Sequence, residues 1–193
     1  ANSGTWSDPG VDVVTLMASI GSVTKNADGT WSWSFNTADG PDDSQSVTIT
    51  ATDSDGAATS TSFNLTVNNV APSVANGGNV TVNEGATAAN SGTWSDPGVD
   101  VVTLVASIGS VTKNADGTWS WSFNTADGPD DSQVVTITAT DSDGASTSTT
   151  FNLTVSNVAP SVANAGNITV NEGTTAANSG TWSDPGVDVV TLM

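Results

Sequence analysis

The sequence predicts an all-β chain made of tandem, seven-stranded antiparallel sandwich domains, and three observations predict it. The string Asn-Ser-Gly-Thr-Trp-Ser-Asp-Pro-Gly begins at Asn2, Asn90 and Asn178, a repeat of 88 residues (90 − 2 and 178 − 90). Short runs alternate apolar and polar residues with the period of two that a half-buried strand requires. Helix formers are scarce, with two Glu, two Lys, two Gln and no Arg in 193 residues, while Thr, Val, Ser, Gly and Asn fill the chain.

The repeat sets the domain organisation. Residues 2–89 and 90–177 differ at only eight positions, among them Met17/Val105, Ser46/Val134, Gly77/Ala165 and Val80/Ile168. The last sixteen residues, 178–193, copy 2–17 without change. A unit of 88 residues exceeds a solenoid repeat and suits an independent small β-domain. The segment Asn69-Val70-Ala71-Pro72 recurs as Asn157-Val158-Ala159-Pro160, and its proline suits a short linker after a strand. The expected domains are therefore 1–70, lacking its first strand, a complete domain over 71–158, and the first strands of a third over 159–193.

Seven strands are expected in the complete domain, at 73–83, 87–95, 101–107, 110–114, 118–124, 134–140 and 147–155. The first is broken by Gly77-Gly78. In the fifth, Trp119, Trp121 and Phe123 point one way and Ser120, Ser122 and Asn124 the other. Val135, Ile137 and Ala139 alternate with threonines in the sixth, and Phe151, Leu153 and Val155 with Asn152 and Thr154 in the seventh. Each sheet thus has one apolar face and one solvated face. Trp119 and Trp121 share their register with Phe123, which assigns them to the core rather than to a sugar-stacking platform. Trp94, at the end of the second strand beside an acidic loop, is left open between the two.

Composition excludes much chemistry. With no His and no Cys there is no imidazole base, no thiolate nucleophile and no ordinary zinc site. A formal charge of −18, from 20 acids and two lysines, repels nucleic-acid phosphates and anionic membranes and invites cations. No apolar run approaches the ~20 residues of a membrane helix. The chain starts at Ala1 without a signal peptide and reads as an excerpt from, or a processed part of, something longer. Nothing places two acids in a cleft, so no enzyme is expected. The single Lys of each repeat, Lys25 and Lys113, sits by a turn without an evident crosslinking partner.

Every acid of the complete domain falls between predicted strands. Strands that reverse at each turn gather alternate loops at opposite ends of a domain. Asp96, Asp100, Asp141 and Asp143 are then expected at the end where the chain comes in, and Glu84, Asp127, Asp130 and Asp131 at the end where it leaves. In a head-to-tail array these two groups meet across a short linker. Ca²⁺, which takes six to eight oxygen ligands, would relieve the repulsion. The candidate ligands at the first junction are Asp39, Asp42, Asp43, Asn69, Asp96, Asp100, Asp141 and Asp143. Those at the second are Glu84, Asp127, Asp130, Asp131, Asn157, Asp184 and Asp188. The competing reading is that these residues cap turns and keep a long array soluble.

The order Asn-Glu-Gly, Ser-Asp-Pro-Gly, Thr-Asp-Ser-Asp-Gly and Asn-Val-Ala-Pro resembles the PKD-type and bacterial cadherin-like repeats of large bacterial surface proteins and adhesins. The resemblance covers the whole repeat and implies an Ig-like sandwich. It also implies interdomain calcium held by Glu84 and Glu172, by 127–131, and by Asp96 with Asp100 and Asp141 with Asp143. The linker here has Asn and no Asp, and the 127–131 loop lacks the acid–basic–acid triplet of cadherins. The PKD stretch Trp-Asp-Phe-Gly-Asp-Gly is also altered, to Trp121-Ser122-Phe123 followed by Asp127-Gly128.

The leading expectation is a structural spacer or filament segment, extracellular or at the cell surface. Its partners are neighbouring repeats of the same protein and other copies of itself in a fibre, with no nucleic acid and no direct membrane insertion. A carbohydrate- or cell-surface-binding module is the second reading. Self-assembly by strand exchange is the third, with one chain's 159–193 completing another's 1–70.

Overall fold

The computed structural model describes residues 1–193 and is all-β. It divides into two compact units, one of Ala1–Val70 with Asp96–Val101 and one of Ala71–Ser95 with Val102–Met193. No helix is long and apolar enough to cross a membrane.

The first unit holds β1 (Asn2–Thr5), β2 (Thr15–Ala18), β3 (Ser22–Lys25), β4 (Thr30–Ser34), β5 (Gln45–Thr52) and β6 (Ala58–Leu65). They form two antiparallel sheets, β1-β4-β3 and β2-β5-β6. Trp31, Trp33, Val47 and Ile49 are buried between them.

The second unit contains a full sandwich. Its strands are β7 (Ser73–Asn76), β8 (Val80–Asn83), β9 (Thr87–Ser95), β10 (Thr103–Ala106), β11 (Ser110–Lys113), β12 (Thr118–Asn124), β13 (Gln133–Thr140) and β14 (Ser146–Ser156). One sheet runs β10-β13-β14-β8 and the other β11-β12-β9-β7. The alternating residues behave as their period requires: Trp119, Trp121, Val135, Ile137, Phe151, Leu153 and Val155 are all buried in one core. A short hairpin of β15 (Ser161–Asn164) and β16 (Gly180–Ser183) follows, exposed along both strands.

Local chemistry sets the turns. Before β12, the Asp116 carboxylate accepts hydrogen bonds from the backbone N–H and the hydroxyl of Thr118, at 3.0 and 2.6 Å. Gly117 takes the positive φ of 80° that closes this turn. Beneath β12, Trp119 lies across Gly92. A Cβ there would stand 1.9 Å from the Ala75 carbonyl oxygen and 2.6 Å from the indole, so only glycine lets β7, β9 and the tryptophan meet.

The first predicted strand differs from expectation. Over 73–83 the chain forms two strands that join different sheets: β7 pairs antiparallel with β9, and β8 pairs parallel with β14. Gly78, at φ 117°, makes the switch between them. The antiparallel reading therefore holds for every pair except β8 with β14. The third predicted strand, 101–107, shortens to Thr103–Ala106, while the last extends by a residue at each end.

Candidate metal centre in the interstrand loops

No strand carries an acid, so all the carboxylates are presented by loops. In the second unit three loops bring theirs together. Glu84 sits in the tight turn between β8 and β9, where Gly85 takes a φ of 72°. It is only 3 % exposed. Its Oε2 accepts the Gly128 N–H at 2.9 Å and its Oε1 the Val158 N–H at 2.7 Å. A Cβ at Gly128 would stand 2.7 Å from the backbone at Ser156–Asn157, so glycine is required where this loop crosses the end of β14.

The loop after β16 completes the group. The Val187 N–H donates to the Ala126 carbonyl at 3.1 Å, which docks residues 184–188 on the loop between β12 and β13. A Cβ at Gly186 would approach the Glu84 carboxylate to 2.7 Å. Carboxylate oxygens of Glu84, Asp127 and Asp188 lie within 4.8 Å of one another. Burial raises the Asp127 carboxyl above its ordinary range, and the charges of Asp130, Glu84, Asp131 and Asp184 raise it further. Asp188 is an exposed residue, yet partial desolvation of its carboxyl raises it first, followed by the charges of Glu84, Asp127, Asp184 and Asp130. The chain's two lysines are engaged elsewhere, Lys25 over the Trp6 ring and Lys113 over the Trp94 ring.

Asp184 lies close enough for its charge to act on Asp127 and Asp188. Its Oδ1 accepts the Gly186 N–H at 2.9 Å, whereas its Oδ2 is buried with no hydrogen-bond partner. An anionic oxygen held out of water without a donor has a high desolvation cost. Together these loops offer only hard oxygen donors, the set that suits Ca²⁺ and not a soft transition metal.

The other candidates divide. In the first unit, Asp39 and Asp100 bring carboxylate oxygens within 4.8 Å, and Val99 donates to Ala38 as Val187 does to Ala126. Asp96 repeats the geometry of Asp184, with Oδ1 on the Gly98 N–H and Oδ2 buried without a partner. Asn69 is half-buried at the end of the same loop region. Asp43 and Asp131 turn into their own loops. Asp43 accepts the N–H groups of Ala38 and Asp39, and Asp131 those of Ala126 and Asp127. The Asp43 carboxyl is held low chiefly by the Ala38 N–H and then by that of Asp39. Asp141 is buried and accepts the Ala145 N–H at 2.8 Å. Asp42, Asp130, Asp143 and Asn157 are exposed.

A third group escaped the sequence reading. Asp8, Asp12 and Asp53 bring their oxygens within 4.8 Å in the first unit. Asp8 accepts the Gly10 N–H, Asp12 the Ser54 hydroxyl, and Asp53 the N–H groups of Asp55 and Ala57. These residues stand 88 positions before Asp96, Asp100 and Asp141, so the repeat itself carried the signal.

Residues 68–154 match the family described as Bacterial Ig domain, a stretch that spans one repeat. A search of curated proteins found no match. Solved structures with a similar course include a three-Ig fragment of titin, at 14 % identity and TM-score 0.42, covering 79 % of this chain and 59 % of that one. The extracellular domain of protocadherin GammaB4 aligns at 16 % identity and TM-score 0.41, over 91 % of this chain and 32 % of that one. Extracellular domains 3–5 of Drosophila OTK align at 15 % identity and TM-score 0.39, over 75 % and 51 %.

Proposed function

We propose that the chain is built of bacterial Ig-like repeats, as the match over 68–154 and the 88-residue repeat support, and that it is a structural spacer segment of an extracellular repeat protein, stiffened where its loops bind calcium. One observation carries this reading: Glu84, Asp127 and Asp188, from three loops far apart in sequence, place carboxylate oxygens within 4.8 Å of one another. The buried Asp184 Oδ2 beside them fits the same need for a cation. Calcium would supply charge neutralisation and would tie the 184–188 loop to the turn at Glu84. Glu84 and the Val187–Ala126 hydrogen bond hold the backbone in place for it.

The reading as a non-enzymatic spacer is supported by the near-identical repeats and by where the aromatics lie. Trp119 and Trp121 are buried in the core, which removes those two of the seven tryptophans from a carbohydrate-binding reading. Trp94 is also accounted for, since its indole N–H donates to the carbonyls of Asn114 and Thr118 while Lys113 covers its ring.

Thermal unfolding with millimolar calcium, then with excess EDTA, tests the proposal. Extracellular calcium modules bind at about 10⁻⁴–10⁻³ M, so a rise of several degrees that EDTA reverses is expected at a few millimolar. An unchanged melting curve would leave a metal-free spacer whose acids serve turns and solubility.

A further inference from the structure

The full sandwich leaves one sheet edge open. β10 has a single sheet neighbour, β13, and stands at the end of the β10-β13-β14-β8 sheet. Just past that pair, the Ser107 N–H donates to the Thr136 carbonyl. Ladder bonds alternate along an antiparallel strand, so Thr103 and Val105 bond to β13 as Ser107 does. Leu104 and Ala106 therefore aim their N–H and C=O groups away from β13. Lys113 covers the carbonyl of Val102, which restricts what the edge offers to residues 104 and 106.

This edge lacks the devices that usually protect one. β10 reads Thr-Leu-Val-Ala, with no charge, no proline and an unbroken register. The adjacent edge of the other sheet, β11, carries Lys113. Val105 stands outward on β10 and is 64 % exposed. The first unit repeats the arrangement: β2 pairs only with β5, the Ser19 N–H donates to the Thr48 carbonyl, and Met17 is 73 % exposed. The open edge thus belongs to the repeat itself and recurs at its 88-residue spacing.

We infer that the β10 edges of two copies pair antiparallel about a twofold axis and join their sheets into one of eight strands. Centred on Val105, the register sets Leu104 opposite the second copy's Ala106, and Ala106 opposite its Leu104. Each contact then holds four backbone hydrogen bonds and leaves the Lys113–Val102 bond intact. Val105 faces its own counterpart in a non-hydrogen-bonded pair, where Cβ atoms lie about 4.5–5.5 Å apart. Leu104 and Ala106, partly buried at the margin of the core, gain cover from one another. A second copy is the occupant that fits, because the edge is self-complementary in register and neither paired strand carries an acid to repel the other. The contact is isologous and closes on itself. Four residues a side bury less than the ~800 Å² per partner of a stable interface, so one contact is weak and repetition strengthens it.

The test is sedimentation of the 193-residue chain from micromolar to millimolar concentration, in EDTA and physiological salt so that it is independent of any calcium effect. The weight-average mass is expected to rise above 19.2 kDa with concentration. Amide exchange at Leu104 and Ala106 should slow over the same series, while Thr103 and Val105 stay unchanged. The double variant Met17→Lys with Val105→Lys should weaken association at least tenfold and keep the fold, since both residues are exposed. Ser62→Lys with Thr150→Lys adds the same charge on exposed positions of β6 and β14, away from the edge, and should associate like the parent chain. A mass fixed at 19.2 kDa, exchange at Leu104 and Ala106 that ignores concentration, or equal weakening by the two double variants would each overturn the proposal.

Discussion

Glu84 Oε2 accepts the backbone N–H of Gly128 at 2.9 Å, joining two loops that are 44 residues apart. The same carboxylate takes the Val158 N–H on its other oxygen. It is therefore both a structural clasp and the buried member of the acidic group, and the two roles separate experimentally.

The clasp is tested by Glu84→Ala. Two backbone donors lose their acceptor, at about 1–3 kcal/mol for each buried group left unsatisfied. Urea unfolding in EDTA should show the second unit destabilised by roughly 2–6 kcal/mol. An unchanged midpoint would mean that water replaces the carboxylate without cost.

Gly92→Ala tests the seat of β7. The new methyl collides with the Ala75 carbonyl and the Trp119 ring, and overpacking of this kind costs about 1–3 kcal/mol. Gly4→Ala, at the corresponding place in the first unit, meets the Trp31 indole at 2.6 Å but no backbone carbonyl. Chemical denaturation should therefore show a smaller loss for Gly4→Ala than for Gly92→Ala.

Lys113 lies 4.4 Å from the centre of the Trp94 ring and donates to the Val102 carbonyl. Lys113→Met keeps the stem and removes both interactions, which should cost about 1 kcal/mol in the same denaturation experiment. It should also change the Trp94 fluorescence.

The pH dependence in EDTA has two opposing parts. Asp127 and Asp188 have raised folded values, chiefly through desolvation of their carboxyls, so the folded state takes protons more readily than the unfolded chain. Their ionisation costs stability at neutral pH, and that cost is relieved as pH falls through the raised values toward the ordinary 3.8. Asp28 and Asp116 are lowered, first by the hydroxyls of Thr30 and Thr118 and then by their N–H groups. Their contribution is present above 3.8 and is lost as pH falls through the depressed values. Melting temperature against pH should therefore pass through a maximum in mild acid. A steady decline from neutral pH downward would contradict the strain assigned to the acidic group.

Much of this fold was legible in the residues. Strong alternation located β12 at its observed ends, because period-two burial is written locally in Trp119, Trp121 and Phe123. The break at Gly77-Gly78 was legible too, but not that β8 changes sheet and runs parallel with β14. That pairing depends on residues some seventy positions apart, which no local period encodes. The same limit applies to the acids. Glu84, Asp127 and Asp188 could be gathered by counting strand reversals. The inward turn of Asp131 onto Ala126 and Asp127 depends on loop geometry that its residue type does not reveal.

Calorimetric titration of calcium into the chain and into Asp188→Asn tests the central claim most directly. Asp188 is exposed, so the variant keeps the fold while removing one charge from the group. The account predicts binding in the range of about 10⁻⁴–10⁻³ M that the variant weakens severalfold or abolishes. No calcium-dependent heat in the parent chain, or equal binding by both, would contradict it.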